Sequence, residues 1–277
     1  MISRIKSFLK KNLFEGSKTV VKITLNTVEP SKRFAGKKVL ITGGSSGIGY
    51  EIAKNFLAEG ADVIITGRNK KRLEEAKQKF NSPRLKTIDW DVAEVSSLDT
   101  KFVSAVAQMG QFDIFINNAG IWDGTPWDKV SEELYDKICD INAKGLFFLC
   151  QHEGDYFKNN SIKGKIVNIC SVEGMMSKFQ PYTISKWSSI AITQGAAMEF
   201  VKYGIVVNGI APGLVATNIS AWSRSKNISK DAYVEAHKTH RFTTVEEIAS
   251  MALYLSSDMA SNIIGQIIAI DGGWALK

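Results

Sequence analysis

Tyr182 and Lys186 stand four residues apart in Tyr182-Thr183-Ile184-Ser185-Lys186, a spacing that places two side chains on one face of a helix within reach of each other. A phenol with its ordinary pKa of about 10 exchanges protons poorly near neutrality. A neighbouring ammonium favours the phenolate, so the pair reads as a proton donor and acceptor whose pKa is drawn down towards the working range. Ser171, 11 positions upstream of Tyr182, offers a hydroxyl that can hydrogen-bond an oxygen as it gains charge. A bare tyrosine and lysine at this spacing also occur on ordinary amphipathic helices, so the reading depends on what surrounds them.

Thr42-Gly43-Gly44-Ser45-Ser46-Gly47-Ile48-Gly49 follows the apolar run Lys38-Val39-Leu40-Ile41 directly and opens a segment of helical period. In that context glycines permit a tight turn, let backbone amides approach a pyrophosphate, and aim a helix N-terminus at it. The second apolar run ends in Thr66-Gly67-Arg68-Asn69. A site for NAD places a carboxylate there to hold the ribose hydroxyls, and Gly67 has none. Arg68 beside it can pair with a 2′-phosphate, which favours NADP(H) while leaving NAD(H) open.

The elements that must position these residues are legible from Lys38 onward. Val- and Ile-rich runs near 38–42, 62–66, 85–89, 112–117, 164–170, 204–210 and 266–270 alternate with helical segments near 47–59, 69–80, 94–109, 131–159, 180–203 and 244–256. This pattern predicts an α/β chain of the Rossmann type, a doubly wound parallel sheet of about seven strands with helices on both faces, in a single domain over 36–277. A chain of 277 residues with 44% hydrophobic content can bury such a core. The polar stretch 218–243 interrupts the regularity and reads as a lid-like insertion.

Taken together, these motifs resemble the short-chain dehydrogenase/reductase family over about residues 36–275. The spacing from Gly43 to Gly47 and Gly49 is similar to its cofactor turn, Asp91-Val92 to the pair that contacts adenine, and Asn117-Asn118-Ala119-Gly120 to its NNAG. Asn142 matches the family's helix asparagine, Ser171 its strand-end serine and Tyr182 to Lys186 its YxxSK. Pro212-Gly213 with Thr217 looks like the segment that touches the nicotinamide carboxamide, and Asp271-Gly272-Gly273-Trp274 like the closing DGGW. The resemblance implies a catalytic set of Asn142, Ser171, Tyr182 and Lys186, with Asn142 helping to hold a water that links Lys186 to solvent. It implies cofactor contacts from Gly43, Ser45, Ser46, Gly47, Ile48, Gly49, Arg68, Asp91, Val92, Asn118, Ala119, Gly120, Tyr182, Lys186, Pro212, Gly213, Val215 and Thr217. The expected chemistry is hydride exchange between a nicotinamide and a ketone or secondary alcohol, with the cofactor carrying the hard step.

Two features depart from the family. Ser171 and Tyr182 are separated by about two residues fewer than usual, and Glu173 stands where a small residue is more common. Both fall on the substrate side and bear on which carbonyl is used. A 3-oxoacyl-thioester reductase and a sugar or polyol dehydrogenase, with Glu173 as a hydroxyl acceptor, are the alternatives within the family. Outside it stand a non-catalytic NADP-binding regulator and a membrane-associated protein.

Charge argues against nucleic acid as a partner. Ten Lys and Arg residues lie in 1–38 against Glu15 and Glu29, whereas the remaining chain carries 25 basic and 26 acidic groups. The basicity therefore belongs to an N-terminal tail, 1–35, whose Ile2, Ile5, Leu9 and Leu13 recur at helical spacing and could lie on an anionic membrane surface or a neighbouring subunit. The three cysteines have no ligand or CxxC spacing, and His152, His237 and His240 form no ligand set, so no metal and a reduced, cytoplasmic setting are expected. No apolar run approaches the roughly 18 residues of a membrane span. The family likeness further implies a homodimer or homotetramer, with helices 131–159 and 180–203 at the interface.

Overall fold

A computed structural model of the chain describes residues 32–217 and 233–276. Seven strands, β1 Lys38–Thr42, β2 Asp62–Gly67, β3 Leu85–Asp89, β4 Ile114–Asn117, β5 Lys165–Ile169, β6 Val206–Pro212 and β7 Ile267–Ile270, form one sheet in the order β3-β2-β1-β4-β5-β6-β7. Every neighbouring pair is parallel. The chain order reverses between β1 and β4, and the carboxyl ends of these strands therefore open the crevice in which such sheets take ligands.

Among the described residues seven helices cover the sheet: α1 Gly47–Ala58, α2 Lys70–Phe80, α3 Leu98–Met109, α4 Glu132–Cys139, α5 Leu146–Asn159, α6 Pro181–Phe200 and α7 Val245–Ser256. Alternate strand residues feed two cores. Val39, Ile41, Val63 and Ile65 pack with Ile52 and Phe56 of α1 and Ile248 and Leu253 of α7. Leu40, Ile64, Phe115 and Ile166 pack with Phe102 of α3 and Leu149 and Phe157 of α5. Burial on both faces is why the strands read as unbroken apolar runs rather than as alternating ones.

Local chemistry sets the helix ends. Asn69 caps α2 by accepting from Arg72 N at 3.0 Å, and Asn81 ends it in the left-handed region at φ 43°. Thr244 and Glu247 form a reciprocal capping box at the start of α7, with Arg241 paired to Glu247 at 2.7 Å. Caps of this kind contribute about 1 kcal/mol each.

The structure refines the expected elements in four places. The segment anticipated as one helix over 131–159 is α4 and α5 joined by a π-helical stretch, Asp140–Gly145. α3 begins at Leu98, after a 3₁₀ turn over Val95–Ser97, rather than at 94. The packed body starts before Gly36, because Phe34 is buried against Phe56 and Arg33 pairs with Glu59 at 2.6 Å. In the stretch expected as a solvated lid, Val234, His237, Phe242 and Thr243 are buried in the body. A lid reading can therefore apply only to 218–232, which, like the tail over 1–31, lies outside the described residues.

Candidate active site

The glycine-rich turn after β1 is fastened to the loop after β4. Thr42 Oγ1 accepts the backbone N–H groups of Asn118 and Ala119, each at 3.0 Å, and Asn118 Nδ2 donates to the carbonyls of Thr42 at 3.0 Å and Gly43 at 3.1 Å. Gly43 has φ +67°, and a Cβ on it would lie 3.0 Å from Ala119 Cα, so glycine is required by both conformation and space. Ser46 precedes α1 with its side chain engaged in no cap, which leaves the first amides of the helix free to meet an anion.

Other candidate cofactor residues follow the carboxyl ends of β2, β3 and β6. Asp91 Oδ1 accepts from Ala93 N at 3.1 Å, and Val92 is buried beneath it. Arg68 is exposed at the end of β2, and no acidic partner is paired with it among the described residues. On the far side, Gly213 N donates to Ile270 O, Val215 bridges to Thr243, and the Thr217 side chain lies 3.6 Å from where a Cβ on Gly47 would stand. Glycine-rich turn and Pro212–Thr217 segment thus face each other across the cleft. A cradle of free amides, an unpaired guanidinium and an opposing loop fit a nicotinamide dinucleotide.

Asn142 lies in the π-helical stretch, almost wholly buried, and works as a spacer. Its Oδ1 accepts from Ile121 N at 2.9 Å, while Nδ2 donates to Ile121 O at 2.8 Å and Ser185 Oγ at 3.1 Å. It joins the loop after Gly120 to α6, and the wider π turn is what lets one side chain reach both. Ser171 follows β5 and Tyr182 and Lys186 occupy the first turns of α6, where Pro181 starts the helix. The Ser171 hydroxyl stands on the side of Tyr182 where it favours ionisation of the phenol. Lys186 Nζ donates to Ile169 O at 3.0 Å and sits 5.7 Å from the centroid of the Tyr182 ring.

The titration of this pair differs from the expectation. Burial pushes the Tyr182 phenol above its ordinary value, the Ser171 hydroxyl opposes this, and the charge of Glu173 adds to it. Burial likewise lowers the Lys186 ammonium. The expectation of a lowered phenol counted the Lys186 ammonium and not the cost of burying the phenolate. The protein itself supplies only Lys186, whose ammonium is held by the Ile169 carbonyl.

Residues 43–275 match the family model described as Enoyl-(Acyl carrier protein) reductase. The chain belongs to the short-chain dehydrogenase/reductase family. It is 33% identical over 243 residues to gluconate 5-dehydrogenase of Gluconobacter oxydans, which covers 86% of this chain and 94% of that protein. It is also 33% identical over 252 residues to galactitol 2-dehydrogenase of Agrobacterium fabrum, covering 87% and 98% respectively. The crystal structure of a short chain dehydrogenase from Bacillus anthracis superposes with a TM-score of 0.78 at 34% identity, over 89% of this chain and 98% of that one. This short-chain dehydrogenase/reductase is therefore an NAD(P)-dependent oxidoreductase.

Several residues that support the site carried no role in the sequence reading. Thr42, at the strand end, and Ser185, inside YxxSK, lie within motifs and could have been found there. His237 could not. It is fully buried, donates from Nδ1 to Arg241 O at 2.6 Å and accepts from Leu214 N at 2.9 Å through Nε2, so it pins the Pro212–Thr217 segment in place. Among the described residues no group of three His, Cys, Asp or Glu side chains is arranged for a metal. Among the same residues no helix is long and apolar enough to cross a membrane.

Proposed function

We propose that the protein interconverts a ketone and a secondary alcohol with NADP(H), Tyr182 exchanging the proton. The observation that carries this reading is the placement of Asn142, Ser171, Tyr182 and Lys186 together beyond the carboxyl ends of β4 and β5, next to the glycine-rich turn after β1. The nicotinamide supplies or accepts the hydride. Ser171 donates to the substrate oxygen as its charge grows, and Tyr182 gives that oxygen its proton. Lys186 holds the cofactor ribose and stabilises the phenolate left behind, and Asn142 fixes the backbone around the water through which Lys186 is resupplied.

For the substrate we infer a small polyhydroxy ketone or its alcohol, the class named in the gluconate and galactitol relatives. Glu173 does not serve as the hydroxyl acceptor in this reading, because both of its oxygens are engaged by Lys178 and Thr183. The experiment is turnover of NADPH with a panel holding keto-sugar acids, ketohexoses, an apolar cyclic diketone and a 3-oxoacyl thioester. The highest kcat/KM is expected on a keto-sugar. Turnover of none of them marks a binding protein, and a thioester preference moves the substrate to lipid synthesis.

We further propose a homo-oligomer built on the outer faces of α5 and α6. A groove of about 710 Å³ there is lined by Phe147, Ala191, Gly195, Met198 and Phe200, with Phe147 50% and Met198 76% exposed. A second copy would cover apolar side chains that a monomer leaves in water. Sedimentation of wild type and Met198→Glu tests this, a fall in mass being expected of the variant. The three unpaired thiols support a reducing, cytoplasmic setting.

A further inference from the structure

The loop from Ser171 to Tyr182 is where the chain departs from its family, and it is organised around one carboxylate. The Glu173 side chain is 13% exposed; its Oε1 accepts from Lys178 Nζ at 3.0 Å and its Oε2 from Thr183 Oγ1 at 3.0 Å. Thr183 is buried and follows Tyr182 in the first turn of α6. The backbone N–H of Glu173 donates to Ser171 Oγ at 3.2 Å. One residue therefore touches the Ser171 hydroxyl with its main chain and the turn bearing Tyr182 with its side chain.

The rest of the loop is pressed onto α6 around this point. A Cβ on Gly174 would fall 2.5 Å from Lys186 O, and Trp187 Nε1 donates to Met176 O at 2.9 Å. Lys178, having reached Glu173, lies 5.1 Å from the Trp274 ring centroid. A short connection has little slack to find its own conformation, and its ends stay in register only if something ties them. Glu173 is the side chain that does so.

We propose that Glu173 is a positioning residue for the Ser171–Tyr182 pair, clasping the loop to α6 and thereby fixing the separation of the two hydroxyls that meet the substrate oxygen. This rests on the reading of Tyr182 as the proton donor. A charge in this position also opposes ionisation of the phenol. The other groups facing Tyr182 are Lys186 on its own helix and Cys170 after β5, while Lys178 offsets part of the Glu173 charge.

The test uses the full chain as wild type, Glu173→Gln and Glu173→Ala, with two readouts. The first is an ultraviolet difference titration of the Tyr182 phenolate, each trace taken against Tyr182→Phe in the same background. The second is kcat against pH on the best ketone of the panel, with NADPH affinity measured alongside. In Glu173→Gln, which keeps the acceptor for Thr183, ionisation should move to lower pH with kcat within about threefold of wild type. In Glu173→Ala kcat should fall about tenfold to thirtyfold with NADPH affinity unchanged. Thr183→Val removes only the hydroxyl donor and should reproduce the loss in kcat, which serves if the alanine variant does not fold. Identical titrations in wild type and Glu173→Gln, or an undiminished kcat in both Glu173→Ala and Thr183→Val, would overturn the proposal. If the titration moves while no ketone is turned over by wild type, the clasp stands and the assigned reaction falls.

Discussion

The ammonium of Lys186 lies 3.0 Å from the carbonyl of Ile169, the last residue of β5, and not on the hydroxyl of Tyr182 one turn earlier in α6. The sheet edge thus holds the cation under the ring of the tyrosine, 5.7 Å from its centroid. Burial then favours the neutral form of each group, raising the phenol and lowering the ammonium. A protein arranged this way keeps Tyr182 protonated, which suits a donor more than a base.

Tyr182→Phe keeps the ring and removes the proton. Carbonyl reduction should fall by about 10²–10⁴. NADPH affinity should stay within a few fold. Lys186→Ala should damage both, because in the proposed mechanism its ammonium holds the cofactor ribose and stabilises the phenolate. Fluorescence titration with NADPH beside steady-state kinetics separates the two, and a Tyr182→Phe enzyme with near-native turnover would remove Tyr182 from its assigned role.

The direction of the phenol shift sets the pH dependence. Reduction uses the protonated phenol, so its rate is fully present below the raised pKa and is lost as pH climbs through it. Oxidation uses the phenolate and gains over the same range. Reduction should accordingly be level across neutrality and decline only in alkali, while alcohol oxidation rises with pH throughout. Initial rates in both directions in one buffer series check this, and a reduction rate that falls between about pH 6 and 8 contradicts it.

Glu153 should govern stability rather than turnover. It is wholly buried in α5, Asn117 Nδ2 donates to its Oε2 at 2.8 Å, and its Oε1 has no hydrogen-bond partner among the described residues. Burial raises its pKa from 4.5 to about 8. Between those values the folded chain keeps a proton that the unfolded chain has released, so stability falls as pH rises from 4.5 to about 8 and is level above that. Glu153→Gln is neutral throughout and removes the slope. It should match wild type near pH 4.5 and exceed it near pH 9 by an amount on the order of a few kcal/mol in denaturant unfolding. Parallel stability curves for the two proteins would show that Glu153 is charged in the fold.

What the sequence revealed and what it hid follow from how local each cause is. The sheet was readable because Val39 to Ile41 and Val63 to Ile65 are buried on both faces and so appear as apolar runs. The candidates Asn142, Ser171, Tyr182 and Lys186 could be picked out because they sit in ordered motifs. The π turn around Asn142 was not readable, since its reason is the backbone of Ile121, 21 residues away. Glu153 stands in the polar run Gln151-His152-Glu153, where nothing local marks it as buried, and its partner is Asn117 at the end of β4. Residues 233–243 looked like solvated loop, and only their packing against Leu214 and Gly272 shows otherwise.

The proposed preference for NADP(H) rests on Gly67 and Arg68 at the end of β2. No carboxylate there repels a 2′-phosphate or holds both ribose hydroxyls of NAD. Arg68 is exposed and no acidic group is paired with it among the described residues, so its planar fork is available to phosphate. A charge-assisted hydrogen bond contributes about 1.5–3 kcal/mol, and 1.4 kcal/mol is about tenfold in affinity. Solvent screening at an exposed site points to the low end, a preference of about tenfold to a hundredfold. Gly67 can also be replaced without distortion: a Cβ on it would meet Leu73 Cδ2 and Ser45 Oγ at 3.7 Å each, ordinary contact distances. Gly67→Asp should therefore fold and place a carboxylate where it excludes the 2′-phosphate and accepts from ribose. Ser45 and Ser46 add hydrogen bonds without charge, so selectivity should be moderate in wild type. In kcat/KM with NADPH and NADH, wild type should favour NADPH, Arg68→Ala should lose that advantage mainly through KM, and Gly67→Asp should turn the preference towards NADH. A wild type that prefers NADH, together with an Arg68→Ala variant that behaves identically, would move the origin of cofactor choice away from this strand end.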